Sequence, residues 1–336
     1  MKRREFSAMF GAGLLGAALP AGRAAAFSPP SNEVVPVTVG ALANGTAQWE
    51  LAVIKNNELD KKHGVDLSLK DVSGKQASHV ALMSGDVDIV LSDFIWVATV
   101  RGQGEDFTAV PHSYAVGGLM VDPDGPIQSL SDLPGKTIAI AGGPVDKSWV
   151  ALQAYYNKEM GESLSDKVDA RFGAPPLVNE LLAEGKADAA LNFWHFNARS
   201  KAAGMKELIS VTEMMEGLGV TNQPPLLTWV FRESVANERE KAITGFLDAS
   251  FEAKKMLLSR DSVWSDIRDL MRVGDDDTLF ETLREDYRKG IIRDYDDAVV
   301  EAAAAAYDIM AEYGGPDLVE DTTTMPDGTF WSGYRT

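Results

Sequence analysis

"LMSGDVDIVLSDFIW" runs from Leu82 to Trp96, and "LAEGKADAALNFWHF" runs from Leu182 to Phe196. Laid over each other at a shift of 100 residues they match without a gap. Leu82 falls on Leu182, Gly85 on Gly185, Asp88 on Asp188 and Leu91 on Leu191. Each copy reads as a helix end, a glycine turn, an apolar strand and a polar turn leading into the next helix. The same shift puts Ala41 on Ala141 and Trp49 on Trp149. A unit of strand, turn and helix therefore occurs twice.

Around these copies the chain alternates strand with helix. "VPVTVGAL" reads as a strand, "TAQWELAVIKNNELDKKHG" as a helix ending near Gly64, "VDLSLKDV" as a strand and "KQASHVALMSG" as a short helix. After the turn-rich "DPDGPIQSLSDLPGK" the pattern restarts with "TIAIAGGPVDKSWVALQAYYNKEMG". Alternation at this spacing predicts parallel βαβ units. The fold class expected is α/β, with two similar parallel-sheet lobes joined by a two-strand hinge. Lobe 1 is discontinuous, 36–114 and 223–336, lobe 2 spans 125–216, and the crossovers fall at 113–122 and 217–228. "PPLLTWVFRES" reads as the strand returning to lobe 1. The amphipathic text that follows predicts a C-terminal helical layer on lobe 1, with Asp275-Asp276-Asp277 starting a helix rather than a calcium loop.

Composition narrows the function. Residues 1–26 carry a basic head (Lys2, Arg3, Arg4), an apolar run and Ala24-Ala25-Ala26, the pattern of a cleaved export signal, and the paired arginines suggest the twin-arginine route. Its loss takes away Lys2, Arg3, Arg4 and Arg23 with Glu5, a net +3, and moves the formal charge from −18 to −21. So acidic a chain repels nucleic acid and anionic lipid, so neither is expected as a partner. The apolar run is shorter than the ~20 residues of a span, and no membrane insertion of the mature chain is expected. With no cysteine there is no disulfide or thiol chemistry.

Three motif spellings carry nothing. "GAGLLG" (Gly11 to Gly16) lacks a strand before it, "LPGKT" has Leu130 where a phosphate loop needs glycine, and "NGT" at Asn44 is a triplet alone. His63, His79, His112 and His195 have no metal-ligand spacing, and no serine sits in a nucleophile elbow. No catalytic residue, metal or cofactor is expected. An enzyme using Asp93, Lys147 and His195, or a sensor or accessory protein, is the alternative.

In an open parallel sheet the ligand sits beyond the carboxyl ends of the strands. The repeat thus names two pairs of cleft loops, Leu42–Gln48 with Gly142–Ser148 and Ser92–Trp96 with Asn192–Phe196. Trp49 and Trp149 read as core, Trp194 as a cleft aromatic, and Asp146 as either a helix cap or a ligand contact.

At these phrases the sequence resembles the solute-binding proteins of ABC importers in the nitrate, sulfonate, taurine and thiamine-precursor group. "SLSDLPGKTIAIAGG" (Ser129 to Gly143), "LLAEGKADAALNFW" (Leu181 to Trp194) and "MSGDVDIVLSD" (Met83 to Asp93) carry it, from about Val35 to the last long helix. The resemblance implies a type II periplasmic binding fold, a periplasmic location, and a small-molecule ligand closed between the lobes and handed to an inner-membrane permease. It implies ligand contacts at Asn44, Gly45 and Thr46, at Ser92, Asp93 and Phe94, at Gly143, Asp146, Lys147 and Ser148, and at Asn192, Trp194 and His195. Sulfonate and nitrate binders offer cationic groups to the anion, whereas these loops hold Asp93 and Asp146 and no arginine. A carboxylate beside an anion is unfavourable, so the expectation leans to a neutral or amine-bearing ligand.

Overall fold

The computed structural model describes residues 34–336. The export-signal reading at residues 1–26 and the "GAGLLG" spelling lie outside the described residues.

The chain builds two five-stranded sheets. The first comes from β1 (Val35–Leu42), α1 (Ala47–Asn56), α2 (Leu59–Lys62), β2 (Val65–Val72), α3 (Lys75–Met83), β3 (Ile89–Ser92), α4 (Phe94–Gly102) and β4 (Phe107–Ser113). The second comes from β5 (Gly117–Val121), β6 (Thr137–Ala141), α5 (Lys147–Met160), β7 (Asp169–Gly173), α6 (Pro175–Ala183), β8 (Ala189–Phe193), α7 (Trp194–Ala202), β9 (Lys206–Ser210) and α8 (Val211–Gly217). β10 (Leu227–Arg232) returns to the first sheet. The orders are β2-β1-β3-β10-β4 and β7-β6-β8-β5-β9.

The repeat is physical. β1 and β6 each pair in parallel with the strand after their helix and with the strand after that. Gly85 and Gly185 both take positive φ, 77° and 65°, where glycine turns the chain without steric penalty. Asp88 Oδ2 accepts the Thr38 N–H at 2.8 Å, and Asp188 Oδ2 accepts the Thr137 N–H at 2.8 Å. The two aspartates pin the two halves in the same way.

Neither sheet is purely parallel. β10 runs antiparallel to β3 and β4, and β5 antiparallel to β8 and β9. Each sheet thus holds the strand by which the chain passes over from the other. Half of the stretch 113–122 expected as a crossover is β5 itself and Ser113 ends β4, so only residues 114–116 lie between the sheets. Residues 218–226 make the second passage.

The expected single helix over 46–64 is two. Asn57 Nδ2 donates to the Val53 carbonyl at 2.9 Å, and Glu58 turns left-handed (φ 51°), which ends α1 and starts α2. The C-terminal region forms α9 (Glu233–Glu238), α10 (Glu240–Ser259), α11 (Ser262–Asp266), α12 (Arg268–Met271), α13 (Asp277–Lys289), α14 (Asp297–Gly314) and α15 (Pro316–Val319). Asp276 caps α13 by accepting the Leu279 N–H at 2.9 Å, so the acidic run does start a helix. α10 lies on α1, β1 and β2 as expected of a layer on the first sheet. α13 and α14 also pack against α7 and α5 of the second sheet, so the layer spans both.

Beneath α10 sits a buried polar network. Lys254 Nζ lies 2.8 Å from Glu50 Oε2, both side chains almost wholly out of water. Ser250 Oγ donates to Glu50 at 2.5 Å and itself accepts from Trp229 Nε1 at 3.1 Å. Burying a charge demands this degree of pairing.

Candidate functional site

The carboxyl ends of the strands meet at one acidic residue. Asp93 ends β3 and caps α4, its Oδ1 accepting the Trp96 N–H at 2.9 Å. Its Oδ2 takes Lys75 Nζ at 2.6 Å and Lys147 Nζ at 3.0 Å. Lys75 opens α3 after β2, and Lys147 opens α5 after β6, so three strand ends from both sheets converge. Burial works against the Asp93 anion, yet Lys147 and Lys75 hold its carboxyl far below the usual range. Lys147 is pushed down by burial, which Asp93 only partly offsets and Lys75 aggravates. Two ammonium groups face Asp93, and the Asp146 carboxylate nearby acts on both of them.

Asp146 caps α5, accepting the Ser148 N–H at 3.0 Å. Burial raises its carboxyl against the pull of Lys147. On the other flank the His79 ring stacks on Trp96, centroids 3.6 Å apart, and its Nε2 meets Ser92 Oγ at 2.7 Å. Burial and then Lys75 push His79 down to about 4, so the ring is neutral near pH 7.

The other expected residues divide. Asn44 accepts a hydrogen bond from Arg272, and Gly45 and Thr46 form the turn into α1, with no side-chain cap from Thr46. Gly143 accepts the Asp146 N–H at 2.9 Å in the turn before α5, and has open space where a Cβ would stand. Ser148 is buried. Phe94 was expected at the ligand; it is fully buried, packed on Phe330 at 5.5 Å, because an apolar first-turn residue points down into the sheet. Asn192 is saturated within the second sheet by Pro175, Asn179 and Phe193. His195 keeps a buried Nδ1 with no partner among the described residues.

Trp49, Trp194, Trp264 and Tyr287 form one aromatic cluster, while Trp149 packs separately against Phe172. Trp49 and Trp149 are core, each 3% exposed. Trp194 packs edge-on against Trp49 at 5.8 Å and Tyr287 at 5.8 Å and is 8% exposed, so its ring is mostly covered by the first sheet's helices. A cavity of about 280 Å³ lies beside it, bounded by Tyr114, Gln223, Lys201 and Asp286, next to both passages between the sheets. Another, of about 630 Å³, lies at the C-terminus near His63 and Tyr334, away from the strand ends. Among the described residues no group of three His, Asp or Glu side chains converges as a metal requires.

Lys75 escaped the sequence reading because the 100-residue shift pairs it with Pro175, so the repeat does not mark it. The rule that ligands meet the ends of parallel strands marks it directly, since it follows β2.

A family model described as NMT1/THI5 like matches residues 60–260, more than half of the chain. The chain belongs to the NMT1/THI5-like family. No curated protein matches its sequence. Solved structures with this fold include the periplasmic aliphatic sulphonate binding protein SsuA from Escherichia coli, 16% identical with TM-score 0.71 over 90% of this chain and 92% of that one. The alkanesulfonate-binding protein SsuA from Xanthomonas axonopodis pv. citri, bound to MOPS, is 17% identical with TM-score 0.65 over 89% and 99%. A Bordetella bronchiseptica RB50 protein is 17% identical with TM-score 0.66 over 89% and 95%. The fold of this NMT1/THI5-like chain is the type II periplasmic binding one. Among its described residues no helix is long and apolar enough to cross a membrane.

Proposed function

We propose that this protein is the solute-binding component of an ABC importer, exported to the periplasm, which holds a small organic solute between its two sheets and presents it to a permease. The observation that carries this is the joining of both sheets at Asp93, with Lys75 and Lys147 drawn to it from separate strand ends. A ligand entering there exchanges contacts with groups from both sheets, which is what couples binding to closure about residues 114–116 and 218–226. Family membership and the structural likeness to sulfonate-binding proteins support the reading.

The lean toward a neutral or amine-bearing ligand rests on Asp93 and Asp146 in cleft loops without arginine. Asp93 already has two ammonium partners, so an arriving amine competes with both, whereas an acidic or neutral polar group meets the second ammonium. An acidic or neutral polar solute fits this centre better. A thermal-shift screen of alkanesulfonates, nitrate, aminopyrimidines and quaternary amines tests it. A true ligand at 100 times its Kd adds about 2.7 kcal/mol, several degrees in melting temperature. The expected hit is acidic or neutral, and Lys147→Gln weakens it. A quaternary amine hit that Asp93→Asn abolishes overturns the ligand class.

A further inference from the structure

Apart from the lysine centre, the structure brings two guanidinium groups together where the sheets face each other. Arg199 lies one turn beyond His195 on the same face of α7, and its Nη2 donates to the Met271 carbonyl at 2.9 Å. The next residue, Arg272, ends α12 in the left-handed region (φ 55°) and donates through Nη2 to Asn44 Oδ1 in the turn after β1. Asn44, accepting through Oδ1, is left with its Nδ2 to donate.

Neither guanidinium has a carboxylate partner among the described residues, whereas Arg101, Arg232, Arg239 and Arg288 each have one. Arg260 and Arg293 also lack one, but they stand at the C-terminal cavity, whereas Arg199 and Arg272 lie beside each other. Burial and the neighbouring Arg272 hold Arg199 below its ordinary value, the mark of like charges left facing each other. His195, one turn before Arg199 and within reach of its charge, has a buried Nδ1 with no partner among the described residues. The planar fork of arginine matches an oxyanion better than an ammonium does.

We propose that Arg199, Arg272, Asn44 and His195 form an oxyanion site at the edge of the cleft, outside the loops that carry Asp93 and Lys147. A sulfonate, phosphate or carboxylate group seated there ties α7 of the second sheet to the turn after β1 and the end of α12. The inference rests on the reading of the space between the sheets as the solute site. The group is either the acidic end of the captured solute or a free inorganic oxyanion.

Calorimetric titration with inorganic phosphate, sulfate and ethanesulfonate, at an ionic strength held constant with chloride, tests the site. Arg272→Gly suits the left-handed backbone and so keeps the fold; Arg199→Gln removes the other fork, Lys147→Gln reports on the lysine centre, and Arg260→Gln at the distant C-terminal cavity is the control for lost charge. Arg272→Gly and Arg199→Gln are each expected to weaken binding about tenfold, the size of one charge-assisted hydrogen bond, while Arg260→Gln leaves it within about twofold. Binding of phosphate or sulfate identifies a free oxyanion; binding of ethanesulfonate alone identifies the acidic end of a solute. Equal binding by wild type and the Arg199 and Arg272 variants, or no binding of any of the three anions, overturns the site. Loss in Lys147→Gln alone moves the anion to the lysine centre, which overturns this site and leaves the proposed function standing. The proposed function itself fails separately, if no compound in the thermal-shift screen responds to Lys147→Gln or Asp93→Asn.

Discussion

Lys147 Nζ lies 3.0 Å from Asp93 Oδ2, and this ion pair joins the first turn of α5 on the second sheet to the cap of α4 on the first. Asp93 performs two tasks at once, since its other oxygen satisfies the Trp96 N–H. An asparagine can keep the cap but not the charge. Asp93→Asn therefore leaves Lys75 and Lys147 repelling each other, and urea unfolding at pH 7 is expected to show a loss of about 1–3 kcal/mol. The sign with pH follows from the depressed carboxyl. Its contribution is present above the unfolded value near 3.9 and is lost as pH falls below it. The gap between wild type and Asp93→Asn should narrow from pH 7 to pH 3; a constant gap refutes the assignment.

His79 and His195 are both held to about 4, the first by burial and Lys75, the second by burial and Arg199. Both are neutral in the fold, while the unfolded chain takes up protons near 6.5. Their contribution is complete above about pH 6.5 and fades as pH drops toward 4, by up to roughly 3 kcal/mol each. Melting temperature should fall over that window. His195→Gln is expected to flatten the fall, and an unchanged slope would mean that folding does not lower the ring's pKa.

Trp194 tests where the aromatic cluster belongs. If its contacts with Trp49 and Tyr287 hold the sheets together, Trp194→Ala costs about 3–5 kcal/mol without any ligand. A loss below about 1 kcal/mol, together with lost solute binding, would return Trp194 to the ligand side of the cleft.

The Glu50–Lys254 pair is buried on all sides. Lys254→Met strands the Glu50 carboxylate and should cost about 3–5 kcal/mol, while the double change Glu50→Gln with Lys254→Met recovers most of it. Equal losses in the single and double variants would show that the two groups are not coupled.

Small-angle scattering addresses the motion. A ligand that bridges the sheets should reduce the radius of gyration, and the change should disappear in Lys147→Gln at equal occupancy. A radius that stays constant at saturation rules out closure about the two passages.

The sequence by itself determined what depends on neighbours along the chain. The strand-and-helix alternation, the doubled unit, the glycine turns at Gly85 and Gly185 and the helix start at Asp276 follow from periodicity and backbone chemistry within a few residues. The family was legible for the same reason, because its phrases are those local units in order. Partnership across the chain was not. Asp93 reads as a cleft carboxylate without named partners until the fold brings Lys75 and Lys147 to it, and the cleft loops read as lacking arginine until the end of α12 brings Arg272 to Asn44 and α7 brings Arg199 to Met271. Phe94 and Trp194 read as exposed aromatics, and packing from Phe330, Trp49 and Tyr287 covers them. Charge neutralisation and burial are sums over groups distant in sequence, so only the tertiary structure decided them.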